Sequence, residues 1–189
     1  MCSVLDRVFA ARDSLSVGFW KAVEADSKQV WTPARLVVRY FVTPTVSASV
    51  LLRASEELLR RGAAWPSRLV RSRLANKHGV HIAEGARIGS AFRMPHPVGI
   101  VIGPGVIVGD RVSIYQGVTL GASAPRTEPW VFPVIEDDVT IYANSVVAGD
   151  IVIGAGATVA AGAIVTESVP QGATVVGVNR LVSSGSGSG

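Results

Sequence analysis

Aliphatic residues recur every six positions through most of the second half of the chain. The run begins at Ile82, slips by two residues after Met94, and resumes at Ile135 after a longer interruption. A second small or aliphatic residue usually stands four positions after each member. The repeated positions are Ile82, Ile88, Met94, Ile102, Val108, Ile114, Leu120, Ile135, Ile141, Val147, Ile153, Val159 and Val165. Self-similarity at a fixed period indicates a repeat protein.

A period of six predicts short strands joined by tight corners. Six is a poor multiple of 3.6, so no helical face could stay buried over so many repeats. Three six-residue units close one triangular coil, and stacked coils would bury the aliphatics in a column while hydrogen-bonding to one another. Small residues after many of the aliphatics, such as Gly103 and Gly154, let the chain turn. A β-sandwich would not keep this phase, so we predict a mainly β chain built as a parallel β-helix.

Residues 1–79 carry helical patterns instead, and we expect them to form an α-helical N-terminal region before the β-helix domain of residues 80–182. Capping residues, prolines and glycines divide this region into segments. The predicted segments are Ser14 to Val30, Thr32-Pro33 to Pro44, Val46 to Arg61 before Gly62, and Trp65-Pro66-Ser67 to Gly79. In the last segment Leu69, Val70 and Leu74 are expected to face the same way. Residues 183–189, SSGSGSG, are interpreted as a linker.

The net charge of +4 divides unevenly between these two parts. Residues 1–79 carry 13 Lys and Arg against 6 Asp and Glu, whereas residues 80–189 carry 5 against 8. The basic part could attract a CoA phosphate or a membrane surface, but we favour an ordinary solvated helical face. No nucleic-acid-binding motif is present. The single cysteine, Cys2, and the absence of a signal-peptide pattern in Met1 to Ala11 favour a cytoplasmic protein.

Two interruptions of the repeat are candidates for function, because the scaffold does not demand them. The first is Arg93 to Val101, with the sequence RMPHPVGIV. The second is the loop of residues 121–134, with the sequence GASAPRTEPWVFPV, which contains three prolines as well as Trp130 and Phe132. A segment so rich in turn-forming residues is not another coil.

Residues in and around these interruptions resemble the core of serine O-acetyltransferases. The matching segments are Met94–Gly103, Val112–Gly121, Val147–Gly154 and Gly162–Pro170. The resemblance covers about residues 67–182 and implies a left-handed β-helix, although the general rule for parallel crossovers favours the right-handed form. The short helical lead-in also resembles related enzymes that acetylate polysaccharide sugars.

The resemblance places the family's general base on His96. The aspartate that precedes the base in the family falls on Pro95, and the aspartate that supports it falls on His81. The second active-site histidine and its preceding arginine fall on Phe132 and Val131. The charged groups that read serine are therefore missing.

The loop supplies aromatic residues where the family carries charge. We assign Trp130, Phe132 and Arg126 to acceptor binding and expect an apolar, aromatic or sugar-like acceptor. Serine itself remains the main alternative acceptor, and a catalytically inactive scaffold is the alternative of another class.

Histidine suits proton abstraction from an acceptor hydroxyl, since its pKa lies near neutrality. Of the chain's three histidines, His96 interrupts the repeat between two prolines and is the predicted base. His81 is predicted to hold the His96 ring, with Glu84 as a second candidate. No nucleophile motif is present, so the acceptor is expected to attack the thioester directly. The spacing of His78, His81 and His96 does not match a zinc site, and we expect no metal.

Backbone N–H groups at Gly121 and Ala122 are candidate oxyanion donors. By the resemblance, acetyl-CoA would lie in a groove between adjacent subunits of a homotrimer, and the helices could pair two trimers. The residues assigned to that groove are Gly121, Ala122, Ser123, Ala143, Ala161 and Arg180. The family's complex with a sulfhydrylase uses a C-terminal tail that this chain does not show. We therefore predict an acetyl-CoA-dependent O-acetyltransferase with His96 as its base.

Overall fold

The computed structural model describes residues 19–27, 33–122 and 130–182. Its helices are α1 (Phe19–Ser27), α2 (Pro33–Val42), α3 (Pro44–Arg60) and α4 (Ala64–His78). Pro44 separates α2 from α3, because proline cannot donate the backbone hydrogen bond that a continuous helix needs. Gly79 ends α4 with a left-handed φ of 64°, as its position predicted. The predicted caps Ser14 and Thr32 lie outside the described residues.

The shared face predicted for α4 is wrong at one position. Leu74 is buried and Val70 is half-buried against the core, but Leu69 is 59% exposed. Leu69 lies five positions before Leu74, which rotates it by roughly 140° from that residue around the helix axis. None of the helices within the described ranges is long and apolar enough to cross a membrane.

From His81 onward the chain forms short strands. They are β1 (His81–Ile82), β2 (Arg87–Ile88), β3 (Val101–Ile102), β4 (Ile107–Val108), β5 (Ser113–Ile114), β6 (Thr119–Gly121), β7 (Val134–Ile135), β8 (Thr140–Ile141), β9 (Val146–Ala148), β10 (Val152–Ile153), β11 (Thr158–Val159), β12 (Ile164–Val165), β13 (Thr174–Val176) and β14 (Arg180–Val182).

These strands form three sheets that the chain visits in rotation. Sheet A has the order β1-β3-β6-β9-β12, sheet B has β2-β4-β7-β10, and sheet C has β5-β8-β11-β13-β14. The pairings are parallel, except that β14 folds back antiparallel onto β13. Three parallel sheets visited in turn make a parallel β-helix, which confirms the prediction from the six-residue period.

The repeated aliphatics form the core of this β-helix. Each strand from β1 to β13 buries one residue and turns its neighbour outward, so each regular coil adds three residues to a central column. Every repeated aliphatic from Ile82 to Val165 is at most 6% exposed. Many of the residues four positions later, such as Val106 and Val139, are also buried, whereas Val98 is exposed. Burial of this continuous apolar column is the main stabilising contribution.

The helices cover the open edge of the first coil, whose backbone carbonyls have no preceding coil to pair with. Arg71 of α4 donates to the Ile82 carbonyl at 2.7 Å, at the edge of sheet A. Arg53 of α3 donates to the Gly89 carbonyl at 2.6 Å, beside the edge of sheet B. Arg53 also forms a two-point ion pair with Asp26 of α1, at 2.8 and 2.9 Å. Polar helix side chains therefore satisfy edge groups that would otherwise be left unpaired.

Candidate active site

His96 lies on the turn that leads from sheet C to sheet A, which we call the C–A corner. The two-residue slip in the repeat forms this turn. The Val98 N–H donates to the His96 carbonyl at 2.8 Å, and the Gly117 N–H of the next coil donates to the Val98 carbonyl at 2.9 Å. Pro97 is buried while the His96 side chain is exposed. The extra residues therefore project an imidazole from an otherwise regular surface.

Two tyrosines continue from His96 along the same corner. The His96 and Tyr115 ring centroids are 6.3 Å apart, with the ring planes inclined by 55°. Tyr115 stacks on Tyr142, with centroids 5.0 Å apart and planes inclined by 28°. We call His96, Tyr115 and Tyr142 the aromatic ladder. Neither tyrosine was predicted from the sequence, although each directly follows a repeated aliphatic, so that aligned coils place one above the other.

Small side chains and the amide oxygen of Gln116 complete this corner. Ala143 directly follows Tyr142, and Ala161 occupies the corresponding position one coil later, so both present small side chains there. The Gln116 side-chain oxygen is buried and has no hydrogen-bond partner within the described part of the chain. Buried polar atoms are nearly always paired. This oxygen is therefore a candidate acceptor for a donor that the described residues do not supply.

The other two histidines occupy different environments. His81 is exposed on the outer face of sheet A, where it pairs with Val101 of β3. Within the described ranges no hydrogen bond joins the His81 and His96 rings, so the supporting role of His81 stays a prediction. Glu84, the second candidate for that role, pairs with Arg68 at 3.1 Å.

His78 lies in a buried contact between α3 and α4. The His78 Nε2 lies 2.6 Å from the Ser47 Oγ, and burial lowers the pKa of the imidazole. In the part of the chain that the structure describes, no group of three or more His, Cys, Asp or Glu side chains could hold a metal ion.

The loop of residues 121–134 returns to the β-helix through Phe132. The Phe132 ring packs over Gly103 and Gly105; a Cβ added to Gly103 would lie 2.9 Å from the ring, and one added to Gly105 would overlap it. The packing of the ring against these two glycines explains the position of Phe132 without a bound ligand. Trp130, by contrast, is 51% exposed. The predicted acceptor-binding Arg126 lies outside the described residues.

The remaining predicted groove residues lie at other places on the surface. Gly121 ends β6 where sheet A leads toward sheet B, a Cβ added to it would meet no atom of the described residues within 4 Å, and Ala122 follows it. Arg180 is exposed on β14, at the far end of sheet C. Ser123 lies outside the described residues. Within one chain, sheet A therefore separates Gly121 and Ala122 from His96 at the C–A corner.

Comparisons with known proteins bear on this arrangement. Residues 132–167 match the family model of the bacterial transferase hexapeptide, with six repeats. A serine acetyltransferase of Buchnera aphidicola subsp. Schizaphis graminum is 34% identical over 181 residues, which cover 93% of this chain and 67% of that protein. A plasmid-encoded serine acetyltransferase of Synechococcus elongatus is 38% identical over 143 residues, covering 71% of this chain and 45% of that one.

Solved structures agree in fold. A serine acetyltransferase of Neisseria gonorrhoeae superposes with a TM-score of 0.76 at 31% identity, covering 91% of this chain and 68% of that one. Its complex with serine gives a TM-score of 0.74 at 32% identity, covering 91% and 72%. These likenesses identify the coil as the left-handed parallel β-helix. The chain spans between about half and two thirds of these curated relatives. It belongs to the serine acetyltransferase family of hexapeptide-repeat proteins.

Proposed function

We propose that this chain is an acetyl-CoA-dependent O-acetyltransferase in which His96 is the general base. The observation that carries the proposal is the placement of His96: an exposed imidazole, on an insertion that the repeat does not need, at one end of the aromatic ladder. The family relationship supports acyl transfer as the reaction. His96 takes the proton from the acceptor hydroxyl as its oxygen attacks the thioester carbonyl. The carbon–sulfur bond then breaks, and the imidazolium returns the proton to the departing thiolate of CoA.

L-Serine is the acceptor that we propose. The relatives are named serine acetyltransferases, and one of them was solved in complex with serine. The prediction of an apolar or sugar-like acceptor drew on Phe132, and it loses support because Gly103 and Gly105 occupy a face of that ring. Serine still requires charged partners for its ammonium and carboxylate groups, and Pro95 and Val131 provide none. Arg126 stays a candidate for the carboxylate.

A homotrimer is the assembly that we propose, with acetyl-CoA between adjacent copies. His96 and Gly121 lie on either side of sheet A, so a site that uses both would need one corner from each of two copies. The outer face of sheet A supports such contacts, because Val101 and Ile164 are 40% and 45% exposed. Ala122, Ala143, Ala161 and Arg180 are proposed to line the groove. Exposed apolar residues on α2, including Phe41 at 72%, support the proposed pairing of trimers.

Release of free thiol from acetyl-CoA tests the function directly. We expect L-serine to drive release, and His96→Asn to lower kcat by about 10²- to 10⁴-fold, the usual contribution of a general base. Gln171→Asn, an exposed substitution on the last coil, serves as the control and should keep wild-type activity. If sugars but not serine drive release that depends on His96, the acceptor assignment is wrong. If no acceptor drives thiol release, the result would favour a non-catalytic scaffold.

A further inference from the structure

The first turn of α3 reaches the segment that carries His96. The Thr45 hydroxyl donates a hydrogen bond of 3.1 Å to the Pro95 carbonyl, across a sequence separation of 50 residues. Pro44 and Thr45 are the first residues of α3, and the nearby Ser47 is fully buried against His78. The Thr45 hydroxyl therefore lies on a helix end that the buried contact between Ser47 and His78 holds in place.

The Pro95 carbonyl belongs to the peptide that enters His96. The pyrrolidine rings of Pro95 and Pro97 fix φ at both positions. With φ of Pro95 fixed, its remaining backbone freedom is ψ, and ψ sets both the direction of its carbonyl and the plane of the peptide that enters His96. Thr45 holds that carbonyl, while the Val98 N–H holds the His96 carbonyl. Removing the Thr45 hydrogen bond would let the peptide plane rotate, and the imidazole would move with it.

We propose that Thr45 is a positioning residue for catalysis, which orients His96 through the Pro95 carbonyl and makes the helical region part of the active-site architecture. This inference rests on the proposed role of His96 as the general base. A base must lie within hydrogen-bond reach of the proton that it removes, and misplacement by about 1 Å can lower the rate by about 100-fold. The hydroxyl of Thr45 therefore affects turnover while making no contact with the reacting atoms.

A purely structural capping role is the competing explanation. Arg71 offers the comparison, because it caps the Ile82 carbonyl on the same coil at 2.7 Å. That contact lies on sheet A and not on the turn that carries His96. Both residues donate one hydrogen bond from a helix to a backbone carbonyl of the first coil. If capping alone matters, loss of either bond should affect stability and leave catalysis unchanged.

The test compares Thr45→Val, Thr45→Ser and Arg71→Met in the full chain. Thr45→Val keeps the side-chain shape but cannot donate, and we expect kcat for serine acetylation to fall about tenfold with little change in KM for acetyl-CoA. Thr45→Ser restores the hydroxyl and should restore kcat. Arg71→Met should lower the thermal midpoint and leave kcat unchanged. Equal kcat in Thr45→Val and wild type would overturn the proposal.

A measurement that needs no activity separates this proposal from the proposed function. The chain contains three histidines, so the NMR signals of ¹⁵N-histidine-labelled protein can be assigned by single substitutions. In Thr45→Val we expect the His96 ring signals to shift or broaden while those of His81 stay unchanged. Unchanged His96 signals would show that Thr45 does not orient the ring. If the ring responds but wild-type protein shows no turnover that depends on His96, the proposed function fails and the positioning contact stands.

Discussion

Gly103 and Gly105 have a different role from the glycines that turn the chain by adopting a left-handed backbone conformation. The structure assigns neither of them a left-handed φ; what they provide is room for the Phe132 ring. A side chain at Gly105 would occupy the volume of that ring. The ring in turn attaches the returning loop to the second coil, near the hydrogen bond from the Ile107 N–H to the Pro133 carbonyl at 3.3 Å. The pairing of these glycines with one aromatic ring therefore sets the path of the loop.

A double-mutant cycle tests this pairing. We expect Gly105→Ala to lower the free energy of unfolding by about 1–3 kcal/mol, because the new methyl group overlaps the ring. Phe132→Ala should cost about 2 kcal/mol through lost packing. The double variant should cost less than the sum, since the methyl group added at position 105 then has no ring to displace. Gly121→Ala is the control, because a Cβ at that site would meet none of the described residues within 4 Å and should be tolerated. Additive losses in urea denaturation would contradict the pairing.

The sequence predicted the buried aliphatics and the interruption that carries His96, but not the partners of Phe132. A six-residue period states which residues face the axis, so Ile114 and Ile141 could be assigned to the core before the structure was known. An insertion stands out against that period, so the segment that carries His96 is visible in the sequence, and the family resemblance made His96 the predicted base. The position of Phe132 depends on how a long loop returns to the surface, and the period contains no information about that. Tyr115 and Tyr142 meet only once the coils are stacked in register.

At the scale of elements, α3 and α4 are joined by a buried polar contact. Ser47 on α3 and His78, the last residue of α4, meet at 2.6 Å, and His78 is 9% exposed. Burial lowers the pKa of His78 below its ordinary value of 6.5, with a smaller contribution from the neighbouring Lys77. Proline and glycine positions predicted where these helices begin and end. Their mutual packing could not be predicted, because it depends on the helix crossing.

This contact predicts a stability that depends on pH. The pKa of His78 is lower in the folded chain than in the unfolded chain. Below about pH 6.5, His78 is therefore protonated more readily in the unfolded chain. The free energy of unfolding should therefore fall as the pH decreases from about 7.5 to about 5, and this loss should be smaller in His78→Gln. Urea denaturation at each pH measures the effect. His96→Gln is the matched control, because that ring is exposed. An unchanged pH dependence in His78→Gln would show that His78 does not contribute to it.

At the scale of the whole molecule, one arginine joins two helices to the end of the β-helix. Arg53 is 6% exposed; it binds Asp26 of α1 through two hydrogen bonds and also the Gly89 carbonyl of the first coil. Burial raises the pKa of the Asp26 carboxyl, and Arg53 opposes that rise. A solenoid needs its terminal repeat covered, because that repeat lacks one neighbour. The period of six predicted the solenoid, whereas its cover depends on side chains far apart in the sequence.

Removing Arg53 should therefore destabilise the molecule strongly. Arg53→Met leaves the Asp26 carboxylate buried without its partner, and we expect a loss of about 3–5 kcal/mol in the free energy of unfolding. Adding Asp26→Asn should recover part of this loss, because the uncompensated charge is gone. Arg60→Met is the matched control: it removes an exposed ion pair with Glu57 on the same helix, which solvent screens, and should have little effect. Urea denaturation monitored by circular dichroism gives the free energy of unfolding of all three variants. If Arg53→Met were as mild as Arg60→Met, the buried pair would not hold the helical region on the first coil.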